Sequence, residues 1–106
     1  MFQVLVVEDD SSLRRLISAA LKQNGYIPFT AEDGEKALDV LEKTNIDLII
    51  SDIMMPNMDG YELTRQLRQA KYDIPILMVT AKESFEDKQK GFMAGTDDYM
   101  VKPIDI

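Results

Sequence analysis

Apolar residues in this chain fall into five short, largely continuous runs separated by longer segments of mixed character. Short runs rich in Val, Ile, Phe and Tyr that end at polar or turn residues predict β-strands. The third and fourth runs show no polar–apolar alternation, which is typical of strands covered on both faces. Pro28 in the second run predicts an edge strand, because proline has no N–H to give a neighbouring strand. The five runs span residues 2–7, 26–30, 47–51, 75–80 and 99–101.

The segments between these runs carry apolar residues at the three- and four-residue spacing of an amphipathic helix. Asp33, Asp59 and Ser84 each stand where their side chains can cap the start of such a helix. Asn24-Gly25 predicts the end of the first helix, because glycine readily adopts the left-handed conformation found there. The apolar positions that face inward in the four predicted helices are Leu13, Leu16, Ile17, Ala20 and Leu21, then Ala37, Leu38 and Leu41, then Leu63 and Leu67, and last Phe85, Phe92 and Met93.

Five predicted strands therefore alternate with four predicted helices. This order predicts an α/β fold with a mostly parallel sheet, right-handed crossovers and helices on both faces. The chain has 106 residues and shows no internal repeat or linker, so we expect one domain.

The composition excludes several kinds of site and partner. Without cysteine or histidine, the chain cannot form disulfides, zinc–thiolate sites, iron–sulfur clusters or a Ser-His-Asp triad. Its 19 acidic and 12 basic residues give a net charge of −7, which disfavours binding to nucleic acid or to an anionic membrane. No stretch approaches the roughly 20 apolar residues of a membrane span, and no signal peptide is evident, so we expect a cytoplasmic protein.

Polar residues whose side chains can bind ligands or take part in a reaction follow four of the predicted strands. Glu8-Asp9-Asp10 ends the first run, Asp52 the third, Thr80 the fourth and Lys102 the fifth. Each residue alone is more often a solvated loop residue or a helix cap. Ligands in open α/β sheets, however, bind outside the carboxyl ends of the strands, where all of these residues are expected to meet. The coincidence therefore favours a functional site.

A cluster of carboxylates needs a proton or a cation to relieve its mutual repulsion. Oxygen ligands without histidine or cysteine suit Mg²⁺ best, with Mn²⁺ or Ca²⁺ as alternatives. Protein-bound Mg²⁺ usually completes its shell with water and phosphate oxygens, and a nearby lysine and threonine could hold a phosphate. An aspartate carboxylate can itself accept the phosphoryl group, so the residues predict phosphoryl transfer at this edge.

Four motifs in fixed order give the chain a family resemblance over essentially its whole length. They are Val6–Asp10, Asp52–Gly60, Val79–Lys82 and Asp97–Pro103. Together they resemble the receiver domain of bacterial two-component response regulators. The resemblance implies a flavodoxin-like, doubly wound sheet of five parallel strands in the order 2-1-3-4-5. It also implies that residues 1–106 are one receiver domain.

The resemblance assigns the acidic residues to metal binding and phosphate acceptance. Asp52 would be the phosphate acceptor, and a sensor histidine kinase would be the donor. Asp9 and Asp52 would ligate Mg²⁺ together with the backbone carbonyl of Met54. Glu8 would act through water or as a further acidic neighbour, and Asp10 could cap the first helix.

The resemblance also assigns a set of switch residues. Lys102 would pair with Asp52 and then with the bound phosphate, and the Lys102-Pro103 bond would be cis. Thr80 would turn to hydrogen-bond the phosphate, and Tyr99 would rotate inward to fill the space that Thr80 leaves.

Further residues resemble one subtype, the receivers of winged-helix transcription regulators of the OmpR/PhoB type. These residues are Lys90-Gly91-Phe92, Gly95 and Asp97-Asp98-Tyr99. Such receivers dimerise through the fourth helix, fifth strand and fifth helix, where Lys88 and Asp98 would make salt bridges. An output domain that binds DNA would lie outside this chain.

The chain ends at Ile106, before the fifth helix of a complete receiver. We therefore expect a domain cut short, in which the first helix and the sheet lose part of their cover. The expected result is lower stability or altered self-association, so the usual dimer would be compromised. A chain that melts like a complete receiver and stays monomeric at high concentration would contradict this expectation.

Three other functions remain as alternatives to a phosphorylated signalling switch, which is not a turnover enzyme. A phosphatase or mutase of the dehalogenase class would carry a second aspartate where this chain has Met54. A flavin or nucleotide module would need a Gly- or Ser/Thr-rich phosphate loop, and Glu8-Asp9-Asp10 stands in its place. A degenerate receiver acting only as a protein-interaction module is disfavoured by the complete set of acidic, Thr and Lys residues.

Overall fold

The structure is a computed structural model, which describes residues 2–53, 55, 57–80 and 98–101. The elements are β1 Gln3–Val7, α1 Ser11–Gln23, β2 Ile27–Ala31, α2 Gly34–Lys43, β3 Leu48–Asp52, α3 Gly60–Gln69, β4 Ile76–Thr80 and β5 Asp98–Val101. All five predicted strands are present, as are the first three predicted helices. The helix predicted to begin at Ser84 lies outside the described residues.

The five strands form one sheet in which every pairing is parallel. The order is β2-β1-β3-β4-β5, which confirms the flavodoxin-like arrangement that the family resemblance implied. β2 lies at the edge, as the presence of Pro28 predicted. Val7 lies opposite Ala31 of β2 and Ser51 of β3, so the residues that follow β1 and β3 leave the sheet side by side.

The two faces of the sheet carry separate apolar cores. Successive residues of β1 point to opposite faces, because side chains alternate along a strand. Leu5 and Val7 join a large cluster with α2 and α3, whereas Val4 and Val6 pack with Ile17 of α1. Helices thus cover both faces, and the central strands need no polar side, as their continuous apolar sequence indicated.

The inward face of α1 is narrower than the spacing of its apolar residues predicted. Ile17 is buried, and Leu13 and Leu21 pack partly against the same cluster. Leu16 was expected on this face but is 55% exposed. One residue step turns a helix by about 100°, which carries Leu16 to the border of the stripe centred on Ile17.

Aspartate side chains start all three described helices. Asp10 accepts hydrogen bonds from the backbone N–H groups of Ser12 and Leu13, at 2.9 and 3.2 Å. Asp33 caps α2 and Asp59 caps α3 in the same way. α1 ends at Gln23 with Asn24 as its C-cap, and the next residue, Gly25, has a φ of +85°, the left-handed conformation predicted for it. Across the residues that the structure describes, no helix combines the length and apolar character needed to cross a membrane.

Candidate functional site

Three carboxylates meet at the carboxyl edge of the sheet, where β1 and β3 end. Oxygen atoms of Glu8, Asp9 and Asp52 all lie within 4.8 Å of one another. Glu8 is only 2% exposed and Asp52 only 6%, whereas Asp9 is open to solvent. The parallel pairing of β1 with β3 causes this meeting, because it brings residues 44 positions apart to neighbouring strand ends.

Hydrogen bonds to both the backbone and the side chain of Glu8 hold this residue in place. Its N–H donates to the carbonyl of Ala31 at 3.0 Å, which extends the pairing of β1 with β2 by one residue. Its carboxylate accepts from the N–H of Asp10 at 3.1 Å. Its carbonyl accepts from the guanidinium of Arg14 at 2.7 Å. These bonds fix the turn from β1 into α1, from which Asp9 projects beside Glu8.

Asp52 is the last residue of β3 and begins a loop that leads to α3. Its carboxylate accepts from the N–H of Ile53 at 2.8 Å, and its carbonyl accepts from the Ser51 hydroxyl at 2.9 Å. The N–H of Gly60 donates to the carbonyl of Ile53 at 2.8 Å. This bond closes the base of the segment 53–59, which we call the acceptor loop.

The tip of the acceptor loop contacts the start of α2. The side-chain amide of Asn57 donates to the carboxylate of Asp33 at 3.0 Å. Hydrogen bonds from the backbone N–H of Lys36 and from Asn57 lower the pKa of Asp33, against the opposing effect of burial. Sequence reasoning identified Asp33 only as a helix cap and missed this contact. The sequence signal for this contact is weak. Asparagine at position 57 suits the positive φ found there, but that preference does not indicate which residue its side chain contacts.

The other predicted site residues are placed only in part. Thr80 ends β4, one residue beyond Val79, which pairs with Asp52. The backbone of Tyr99 lies opposite Met78, and that of Asp98 opposite Leu77. Met54, Lys88 and Lys102 lie outside the described residues, so their roles stay predictions.

The donor set of the carboxylate cluster fits a magnesium ion. Three oxygen ligands with no nitrogen or sulfur donor are the type that Mg²⁺ and Mn²⁺ prefer. One member is exposed, which leaves room for the water and phosphate ligands that Mg²⁺ usually keeps. Placing two nearly buried carboxylates beside a third is costly without such a cation, since like charges at short range repel.

Comparison with protein families shows to which family the chain belongs. A model of the response regulator receiver domain matches residues 4–106. The chain belongs to this family. It is a receiver domain of a two-component response regulator, and such receivers are signalling domains that bind Mg²⁺ at an acidic pocket.

Individual relatives agree with this assignment. The heme response regulator HssR of Staphylococcus aureus is 42% identical over all 106 residues, which cover 47% of that protein. The chain thus spans about half the length of the curated relatives it matches. The Francisella response regulator 1452 receiver domain shares 35% identity, with a TM-score of 0.94 over 99% of this chain and 87% of that one. The response regulator TrrA of Thermotoga maritima, solved in complex with Mg²⁺ and BeF, shares 36% identity, with a TM-score of 0.88 over 99% of this receiver and 90% of TrrA.

Proposed function

We propose that this receiver is a switch that accepts a phosphoryl group on Asp52 from a sensor histidine kinase, with Mg²⁺ bound at Glu8, Asp9 and Asp52. The observation that carries the proposal is the position of Asp52. Its nearly buried carboxylate lies at a strand end with two further carboxylates within 4.8 Å. The proposal is supported by a relative, TrrA, whose structure was solved in complex with Mg²⁺ and BeF.

The proposed reaction is a transfer between two side chains. A carboxylate oxygen of Asp52 attacks the phosphorus of the donor phosphohistidine, the P–N bond breaks, and the histidine nitrogen takes up a proton. When bound, Mg²⁺ neutralises the clustered negative charge so that a phosphate can approach. Glu8 and Asp9 hold the cation, and the N–H of Ile53 orients the accepting carboxylate. The receiver assists its own phosphorylation and dephosphorylation and turns over no metabolite.

The remaining assignments extend this switch to an output. We propose that the carbonyl of Met54 completes the metal site, that Lys102 and Thr80 contact the phosphate, and that Tyr99 moves with Thr80. Phosphorylation would bias a pre-existing equilibrium between two conformations. By analogy with winged-helix regulators, the output would be transcription in the cytoplasm through a DNA-binding domain. Dimers would form through the fourth helix and β5, with Lys88 and Asp98 at the interface.

Intact-mass measurement after incubation with acetyl phosphate tests the proposed function. We expect the wild-type chain to gain one phosphoryl group when Mg²⁺ is present and none when it is removed by a chelator. Asp52→Asn should gain none in either condition. Asp39→Asn, which changes an exposed aspartate of α2, is the matched control and should behave like the wild type.

Two results would count against the proposal. A gain that persists in Asp52→Asn would place the acceptor on another residue. The absence of any gain in a wild-type sample with the circular dichroism of a folded α/β protein would favour a degenerate receiver that acts as an interaction module.

A further inference from the structure

We propose that Asp33 and Asn57 form a clamp that holds the acceptor loop in the position needed for phosphorylation, which makes both of them positioning residues. This inference rests on the proposed function, because it concerns how Asp52 is presented. The clamp joins the N-cap residue of α2 to the loop between β3 and α3, and its two residues are 24 positions apart in the chain.

The carboxylate of Asp33 divides its two oxygens between two elements. Oδ1 accepts from the backbone N–H of Lys36 at 2.9 Å, which caps α2. Oδ2 accepts from Nδ2 of Asn57 at 3.0 Å. Asp33 is only 5% exposed, so its charge is shielded from water and bonds to it are stronger than neutral ones. A helix cap thus serves as the anchor for the loop.

The backbone of Asn57 is suited to this contact. Its φ of +70° is a left-handed conformation that asparagine tolerates better than most residues. That turn directs the side-chain amide toward α2. The residue after Asn57, Met58, packs closely against Gly34 of α2. A Cβ added at Gly34 would lie only 2.9 Å from the Cβ of Met58. Among the described residues, the loop tip therefore meets the start of α2 through a hydrogen bond and a tight apolar contact.

The position of the loop bears directly on Asp52. The base of the loop is closed by the bond from Gly60 to Ile53, and the N–H of Ile53 donates to the Asp52 carboxylate. The loop tip is joined along the chain to Ile53 on one side and to Gly60 on the other. A shift of the tip can therefore reorient the acceptor carboxylate. Residues that hydrogen-bond a metal ligand typically change affinity or activity by about 10- to 100-fold, and we expect the lower end here because the clamp acts on Asp52 through the loop.

A set of four variants separates the clamp from general stability. Asn57→Gly keeps the left-handed backbone without strain but removes the amide. Asn57→Asp sets a carboxylate against that of Asp33. The double variant Asp33→Asn/Asn57→Asp restores one donor and one acceptor with the roles exchanged, and asparagine still caps α2. Asn45→Gly is the control, because Asn45 is exposed and precedes β3, at the end of the strands away from the carboxylates.

The first readout is the rate of phosphorylation by acetyl phosphate as a function of Mg²⁺ concentration. We expect Asn57→Gly and Asn57→Asp to be about tenfold slower at limiting Mg²⁺. The double variant should return to within about twofold of the wild type, and Asn45→Gly should not differ from it. Rescue by exchanging the two side chains would show that the hydrogen bond between them, rather than either residue alone, governs the rate.

The second readout needs no phosphorylation. Amide hydrogen exchange at Ile53 and Gly60 should be about tenfold faster in Asn57→Gly, as expected when one hydrogen bond is lost, with exchange in β1 unchanged. Wild-type rates and wild-type exchange in a folded Asn57→Gly would overturn the clamp, as would a double variant that stays as slow as Asn57→Asp. If the wild type accepts no phosphate, the proposed function fails, and amide exchange alone decides the clamp.

Discussion

Replacing Gly60 by alanine is expected to lower the free energy of unfolding by about 3 kcal/mol, the upper end of the usual cost of overpacking. A Cβ at this position would lie well inside contact distance of the Asp52 carbonyl oxygen and 3.0 Å from the Cα of Ile53. Both are backbone atoms at the end of a central strand, so they cannot move aside as a flexible side chain could. The clash would also weaken the bond between Gly60 and Ile53 that closes the acceptor loop.

Gly25→Ala separates this clash from the general loss of a glycine. Gly25 has a left-handed φ, and nothing lies within 4 Å of a Cβ placed there. We expect that substitution to cost only about 1 kcal/mol, from backbone strain. Urea unfolding followed by circular dichroism gives both values. If Gly60→Ala proves no less stable than Gly25→Ala, the backbone at Asp52 and Ile53 can move aside to accept a methyl group, and the expected clash is wrong.

Asp9→Asn is expected to weaken Mg²⁺ binding by at least about a hundredfold, because a direct ligand should matter no less than an outer partner. Phosphorylation at low Mg²⁺ should fall in parallel. The stability of the metal-free protein, in contrast, should increase. Removing one of three carboxylates that lie within 4.8 Å of one another relieves repulsion, so the melting temperature without metal should rise. The stabilisation by added Mg²⁺ should correspondingly shrink.

Asp10→Asn provides a control of equal charge at the adjacent position. The Asp10 side chain is directed to the first turn of α1, and asparagine caps a helix as well as aspartate. This variant should keep wild-type Mg²⁺ affinity. Melting curves and calorimetric titration with and without Mg²⁺ measure these effects. Equal loss of affinity in both variants would show that net charge, rather than ligation by Asp9, governs binding.

The elements and their caps could be predicted because they depend on neighbouring residues. The strand around Ile49 is apolar on both faces, and Asp10, Asp33 and Asp59 directly precede their helices. The gathering of Glu8, Asp9 and Asp52 could also be predicted, because parallel strands bring their carboxyl ends to one edge. The resemblance to receivers then supplied the strand order, which the structure confirms.

Features that depend on the angle between packed elements could not be predicted in this way. The contact between Asp33 and Asn57 needs the distance of α2 from the acceptor loop, which no local pattern encodes. The exposure of Leu16 depends on which part of α1 faces the sheet, and apolar spacing defines that stripe only to within about one residue step. Lys102 and Thr80 remain predictions about chemistry, although the backbone position of Thr80 at the end of β4 agrees with its expected place.

The interior position of β1 has a consequence for the order of folding events. β1 pairs with β2 through residues 24 positions apart, such as Gln3 and Ile27, and with β3 through residues 44 apart, such as Val4 and Leu48. Closing the longer chain segment costs more entropy, so the β1–β2 unit should form first and β3 should dock afterwards. That docking step is the one that brings Asp52 against Glu8 and Asp9. The negative charge that equips the site for phosphoryl transfer is thus expected to slow the very step of folding that assembles it.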